Sequence, residues 1–175
     1  QQASQLGNLG MLCAQNGRFD QAITHLEKCL EIMVSLGNVN GQANALGNLG
    51  LAYDSIGDFD RALNVYQQTL GLFVEIEDLY GEAHVHGEIG NVLIKKGRYQ
   101  QALPSVEKQL TLSSQLGDQS GITMALNNLG IISELCQRVA IMYGGEVVEY
   151  GSVREIFEHP KHAYTRGLLH AIPKL

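Results

Sequence analysis

The sequence predicts an all-α fold: helix-turn-helix repeats stacked as a right-handed α-solenoid, followed by a small α+β tail made of a hairpin and two short helices. Three observations predict it. A block recurs every 40 residues, with Leu9-Gly10, Leu49-Gly50, Ile89-Gly90 and Leu129-Gly130 in register, as are Gly17-Arg18-Phe19-Asp20-Gln21-Ala22, Gly57-Asp58-Phe59-Asp60-Arg61-Ala62 and Gly97-Arg98-Tyr99-Gln100-Gln101-Ala102. Within each block the apolar residues step by three and four, which is helical spacing. After about residue 131 the period is lost. A fixed period of this size marks a stacked architecture, because one unit cannot bury its apolar face alone.

The second copy shows the elements in order. Ala45, Leu46, Leu49, Gly50, Ala52, Tyr53 and Ile56 form one face of a first helix. Gly57-Asp58 breaks it. Phe59, Ala62, Leu63, Tyr66, Leu70, Phe73 and Val74 form the face of a second helix, and Glu77-Asp78-Leu79-Tyr80-Gly81 closes it. Gly10, Gly50 and Gly90 stand inside first helices, where glycine costs about 1 kcal/mol against alanine. Their recurrence points to close approach of neighbouring helices. Pro104 lies a turn inside the second helix of the third copy, where a kink is expected.

Leu49-Gly50 with Tyr53 three residues on, followed by Gly-x-Phe/Tyr-x-x-Ala, resembles the tetratricopeptide repeat, in its longer 40-residue type. The resemblance covers about residues 1–136: three helix pairs and the first helix of a fourth. It implies a non-enzymatic scaffold that takes a peptide or a partner helix in the concave groove lined by first helices. Cys13 stands where the second copy has Tyr53.

Composition narrows the partners. Twelve Lys and Arg against 18 Asp and Glu give a net charge of −6. Residues 131–175 are balanced, with Arg138, Arg154, Lys161, Arg166 and Lys174 against Glu134, Glu146, Glu149, Glu155 and Glu158, so the excess acid lies in the repeats. Phosphate contact needs clustered Lys and Arg, which argues against nucleic acid as a partner. No apolar run reaches the length of a membrane span, so no direct membrane insertion is expected. Cys13, Cys29 and Cys136 are widely spaced and read as reduced thiols, which favours a cytoplasmic setting. The chain opens on Gln1 at the start of a repeat and reads as a piece of something longer, with a sensor arm of a signalling protein as one such whole.

The second domain, 137–175, is a different text. Ala140-Ile141-Met142-Tyr143, Gly144-Gly145 and Glu146-Val147-Val148-Glu149-Tyr150 predict a hairpin with a tight turn. Ser152-Val153-Arg154-Glu155 is a capping box opening a short helix, 153–158. A last helix is expected from Tyr164 to Ile172, stopped by Pro173. The run from Arg138 to Glu149, and then from Arg154 to Leu169, resembles the C-terminal part of oligopeptide/dipeptide ABC-transporter ATPases, over about residues 129–175. That resemblance implies association with transporter subunits through the tail. It reads either as a natural fusion remnant or as an error of gene assembly. The chain lacks a Gly-rich loop ending in Gly-Lys-Ser/Thr, an Asp-Glu strand and a Ser-Gly-Gly signature, and the family's switch histidine is replaced by Asn127. A truncated or fused ATP-binding subunit, inactive without those motifs, is the alternative reading.

No catalytic, cofactor-binding or metal-binding set is expected. His159, His162 and His170 are interrupted by Pro160. The groove residues implied by the repeat resemblance are Asn8, Asn44, Asn48, His84, Glu88, Asn91, Asn127 and Asn128. Asparagine carries two donors and an acceptor, so a row of them either grips the backbone of an extended peptide or only occupies a polar face. On the first reading, replacing Asn48 and Asn128 by alanine weakens binding and spares the melting temperature. Basic residues are absent from these positions, which rejects a clamp for a C-terminal carboxylate.

Overall fold

A computed structural model describes residues 2–135 and 138–170. The boundary at 136/137, Cys136 and the expected stop at Ile172-Pro173 lie outside the described residues, as does the side chain of Val139. Seven helices come first: α1 (Gln2–Gln15), α2 (Phe19–Ser35), α3 (Val39–Ser55), α4 (Phe59–Glu75), α5 (Leu79–Lys95), α6 (Tyr99–Leu116) and α7 (Gln119–Leu135). No strand interrupts the described part of 2–135. Each helix packs on the next, and α5 also packs on α7 and α1 on α3.

The boundaries follow from the caps. Asn38, Asp58 and Asp78 each accept a hydrogen bond from the amide three residues on, at 2.8, 3.1 and 2.9 Å. That satisfies one of the orphan donors at a helix start. The Asp78 cap corrects one expectation. Residues 77–81 do not all close the second helix: α4 ends at Glu75, and Asp78 takes the Gly81 amide and starts α5 at Leu79. Gly57 ends α3 in the left-handed region (φ 79°), and Glu77 makes the same turn with a side chain (φ 56°). Pro104 is exposed and does not divide α6.

The core runs as one stripe through the stack, with Leu26, Leu46, Tyr66, Val92 and Val106 among its buried members. A side chain, rather than a bare backbone, fills the room over each first-helix glycine. A Cβ on Gly10 would lie 2.7 Å from Leu26 Cγ, one on Gly50 2.4 Å from Tyr66 Cε1, and one on Gly90 2.6 Å from Val106 Cγ2. Gly130, the fourth of the series, is exposed and meets nothing within 4 Å among the described residues. Its repeat has no second helix.

In place of that helix stand β1 (Arg138–Tyr143) and β2 (Glu146–Ser152), antiparallel, with a bulge between Ile141 and Met142. Gly144 and Gly145 turn the hairpin at φ 61° and 88°, the positive angles a two-residue loop needs. The short helix α8 (Val153–Glu158) opens on the expected capping box of Ser152 and Glu155, and α9 (Ala163–His170) follows. Ile156 is the tail's buried centre. Glu149 ties α9 to the hairpin, accepting from the amides of Lys161 at 2.7 Å and His162 at 3.0 Å. The Thr165 hydroxyl, close by but outside strict hydrogen-bond geometry, together with these amides holds the Glu149 carboxyl below its usual range. Among the described residues, the extensive packing of β1, β2 and α8 is with one another and not with the repeats.

Candidate functional site

First helices also pack on first helices of the next repeat, α1 on α3 and α5 on α7. Their outward rows hold the residues expected to line a groove. Asn8, Asn44, His84 and Asn127 are exposed, Asn48 and Asn91 are half-buried, and Glu88 is nearly covered. Asn44 donates to Asn40 at 2.7 Å, which holds its amide against the helix.

Asn128 corrects the reading that all eight face solvent. It is 6% exposed and donates from Nδ2 to Asn91 Oδ1 at 2.7 Å. This bond joins α7 to α5, so Asn128 reaches a ligand only through Asn91. Replacing it by alanine removes a buried side chain's bond, leaves the half-buried Asn91 Oδ1 unpaired and is expected to lower the melting temperature, contrary to the sequence-based expectation.

A polar ladder continues from this bond along α5 to α3. Asn91 hydrogen-bonds Glu88, His84 lies 3.8 Å from the same carboxylate, and Lys95 Nζ bridges to Asp54 Oδ2 at 2.6 Å. Beneath it sits Tyr66, 1% exposed, its hydroxyl without a partner, as is Asp54 Oδ1. Burial first, then the Glu88 and Asp54 carboxylates, drive the Tyr66 phenol far above its usual range. Tyr66 was expected on the buried face of its helix, and is there; Asp54 and Lys95 were not singled out from the sequence, because their pairing joins residues far apart in the chain.

Burial raises the Glu88 carboxyl above the ordinary glutamate range; His84 pulls it back and Asp54 pushes it up. A proton held more tightly in the folded chain than in the unfolded one stabilises the fold at acid pH. That contribution is lost as pH rises from the ordinary glutamate range through the raised value. Glu88→Gln is therefore expected to raise the melting temperature at neutral pH, with the gain shrinking to nothing in acid. Melting curves across pH check this, and a fall at neutral pH would show the ionised carboxylate to be stabilising.

The described residues hold no cluster of His, Cys, Asp and Glu able to take a metal ion. Cys13 and Cys29 are buried, and burial raises the Cys29 thiol, so it stays protonated. A hollow of about 480 Å³ opens at the α3–α4 turn beside Asp58 and Arg61, which neutralise each other at 2.5 Å. No helix among the described residues is long and apolar enough to cross a membrane.

Comparison with known families separates the two halves. Tetratricopeptide-repeat profiles match residues 1–73 and 85–120. The repeats are tetratricopeptide repeats. Their array superposes on BtubC (BKLC) from P. vanneervenii with a TM-score of 0.70 and 21% identity, over 75% of this chain and 55% of that one. It also superposes on the Rap conjugation gene regulator of plasmid pLS20, solved in complex with the Phr* peptide, with a TM-score of 0.64 and 20% identity, over 72% of this chain and 35% of that one. These likenesses show the fold: the tetratricopeptide array is a helical-repeat scaffold. The profile of the oligopeptide/dipeptide transporter C-terminal region matches residues 148–175. A protein of Brucella ovis that carries the name of a peptide import ATP-binding protein is 46% identical over 66 residues, 37% of this chain and 20% of that protein. The chain thus spans a fifth of the length of this curated relative.

Proposed function

We propose that the chain is a non-enzymatic scaffold that holds an extended peptide or a partner helix along its first helices. The observation that carries this reading is the row of accessible amide and imidazole side chains, Asn8, Asn44, Asn48, His84 and Asn127, on the first helices of successive repeats. Side-chain amides pair with peptide N–H and C=O groups alike, so such a row suits a ligand backbone of any sequence. The peptide-bound state of the Rap neighbour supports it by analogy of fold.

The test is a pool of random, end-blocked peptides titrated into the chain. Replacing Asn44 and Asn48 together by alanine is expected to weaken binding by about 1–3 kcal/mol, the loss of two sets of hydrogen bonds. Melting should change little, because neither side chain is buried. Unchanged affinity would make these residues mere solvated surface.

The tail supports a second, additional role. Its match to the transporter C-terminal region favours docking of 138–170 against subunits of a peptide importer, with the nucleotide-binding motifs supplied by another chain.

A further inference from the structure

The third repeat breaks a packing rule that the first two obey. On α2, Met33 covers Gly41 of the next first helix; on α4, Phe73 covers Gly81 in the same way. Forty residues on, the covering residue over Gly121 is Ser113. One turn earlier on the same face stand Cys29, Thr69 and Gln109, over Gly7, Gly47 and Gly87. An apolar or compact plug is thus replaced on α6 by an amide and a hydroxyl. A small enclosed cavity of about 60 Å³ results, lined by Tyr80, His84, Gln109, Ser113, Asp118 and Met124, with Ser120 and Gly121 at its edge.

Its floor is polar and unsatisfied. Gln109 is 2% exposed and Ser113 1%, yet Gln109 Oε1 and Ser113 Oγ have no hydrogen-bond partner. Buried polar groups are almost always paired, so two in one cavity call for an occupant. Gln109 Oε1 accepts, the Ser113 hydroxyl can accept as well as donate, and Asp118 adds the one formal charge in the lining. Tyr80, 60% exposed, brings an aromatic ring to the lining, a group able to hold a cation. His84 and Met124 occupy equivalent positions on α5 and α7, in the rows that line the groove, so the mouth opens where a groove ligand would lie.

We propose that this cavity is a specificity pocket for a lysine side chain of the bound peptide. The proposal rests on the groove reading above. An ammonium group has three donors and no acceptor, which suits Gln109 Oε1, Ser113 Oγ and the Asp118 carboxylate. The space fits a compact head group better than the wide fork of an arginine. Gly87 and Gly121 are required because a Cβ at either would lie 2.4 Å from Gln109 Nε2 or 2.2 Å from Ser113 Oγ.

The experiment compares two pools of end-blocked hexapeptides, identical except that one position is fixed as lysine or as norleucine, which keeps the stem and lacks the ammonium. Each is titrated into the isotope-labelled chain while backbone amide signals are followed at Gly87, Ser113 and Gly121 for the pocket and at Asn44 and Asn48 for the groove. The lysine pool is expected to shift the pocket signals at about tenfold lower concentration, the size of one charge-assisted hydrogen bond. Ser113→Phe, which installs the plug of the second repeat, should abolish the difference while leaving groove shifts intact. Should that variant fail to fold, Asp118→Asn keeps an oxygen for the Ser120 amide and removes the charge, and should reduce the lysine preference about tenfold. Equal shifts from both pools at the groove would overturn the pocket and leave the groove standing. Absence of shifts at either place would mean that the cavity holds water only, and would overturn both readings.

Discussion

Gly50→Ala is expected to destabilise the chain by about 1–2 kcal/mol, and Gly130→Ala to stabilise it by up to about 1 kcal/mol. The two glycines stand at equivalent positions of first helices, and helix propensity favours alanine equally at both, by about 1 kcal/mol. Their surroundings differ. At position 50 the new methyl would sit 2.4 Å from Tyr66 Cε1 and 2.7 Å from Cδ1. Tyr66 is 1% exposed and cannot swing away, and overpacking of this kind costs about 1–3 kcal/mol. At position 130 the methyl meets nothing within 4 Å among the described residues. Denaturant midpoints at constant slope measure both effects. A loss of stability at position 130 as large as that at position 50 would mean that something covers α7 where a second helix belongs.

Tyr66 is expected to give the largest single loss. Tyr66→Ala removes the ring that fills the room over Gly50 and should cost about 3–5 kcal/mol. Tyr66→Phe keeps the ring and removes a buried hydroxyl that has no partner. It should be neutral or stabilising by about 1 kcal/mol, since a buried unsatisfied group carries a desolvation cost of about that size or more. Denaturation of both variants, together with Gly50→Ala, forms a cycle. The penalty of the Gly50 methyl should largely vanish in Tyr66→Ala, because residues in direct contact do not act additively. A clear loss in Tyr66→Phe would show the hydroxyl to be bonded to the Glu88 and Asp54 cluster through water.

The repeat pattern carried the architecture because each repeat states its own boundaries. Asn38, Asp58 and Asp78 cap, Gly57 and its equivalents turn, and helical spacing fills the interval. The tail was legible for the same reason: Gly144-Gly145 and the Ser152–Glu155 box are local devices, needing no knowledge of distant contacts. The bulge at Ile141 and the anchoring of α9 by Glu149 were not, since each depends on segments far apart in sequence. Groove residues were legible as a row but not in depth. One rule of spacing treats Asn8, Asn48, Glu88 and Asn128 as equals, whereas burial grows along the series from exposed to 6% exposed. Gln109 and Ser113 lie on α6, a second helix, outside the first-helix rows that the repeat resemblance marks. Aligning the second helices would have exposed the change from Met33 and Phe73 to Ser113.

Because helices here pack chiefly on their sequence neighbours, most contacts close short loops. Chains of low contact order fold fast, and stability in such stacks sums over units and the seams between them. No single part of the repeat region is then indispensable to the rest. A lesion in α1 leaves the seam between α5 and α6 intact, and damage stays where it occurs. A stack built this way keeps its far end folded when the near end frays.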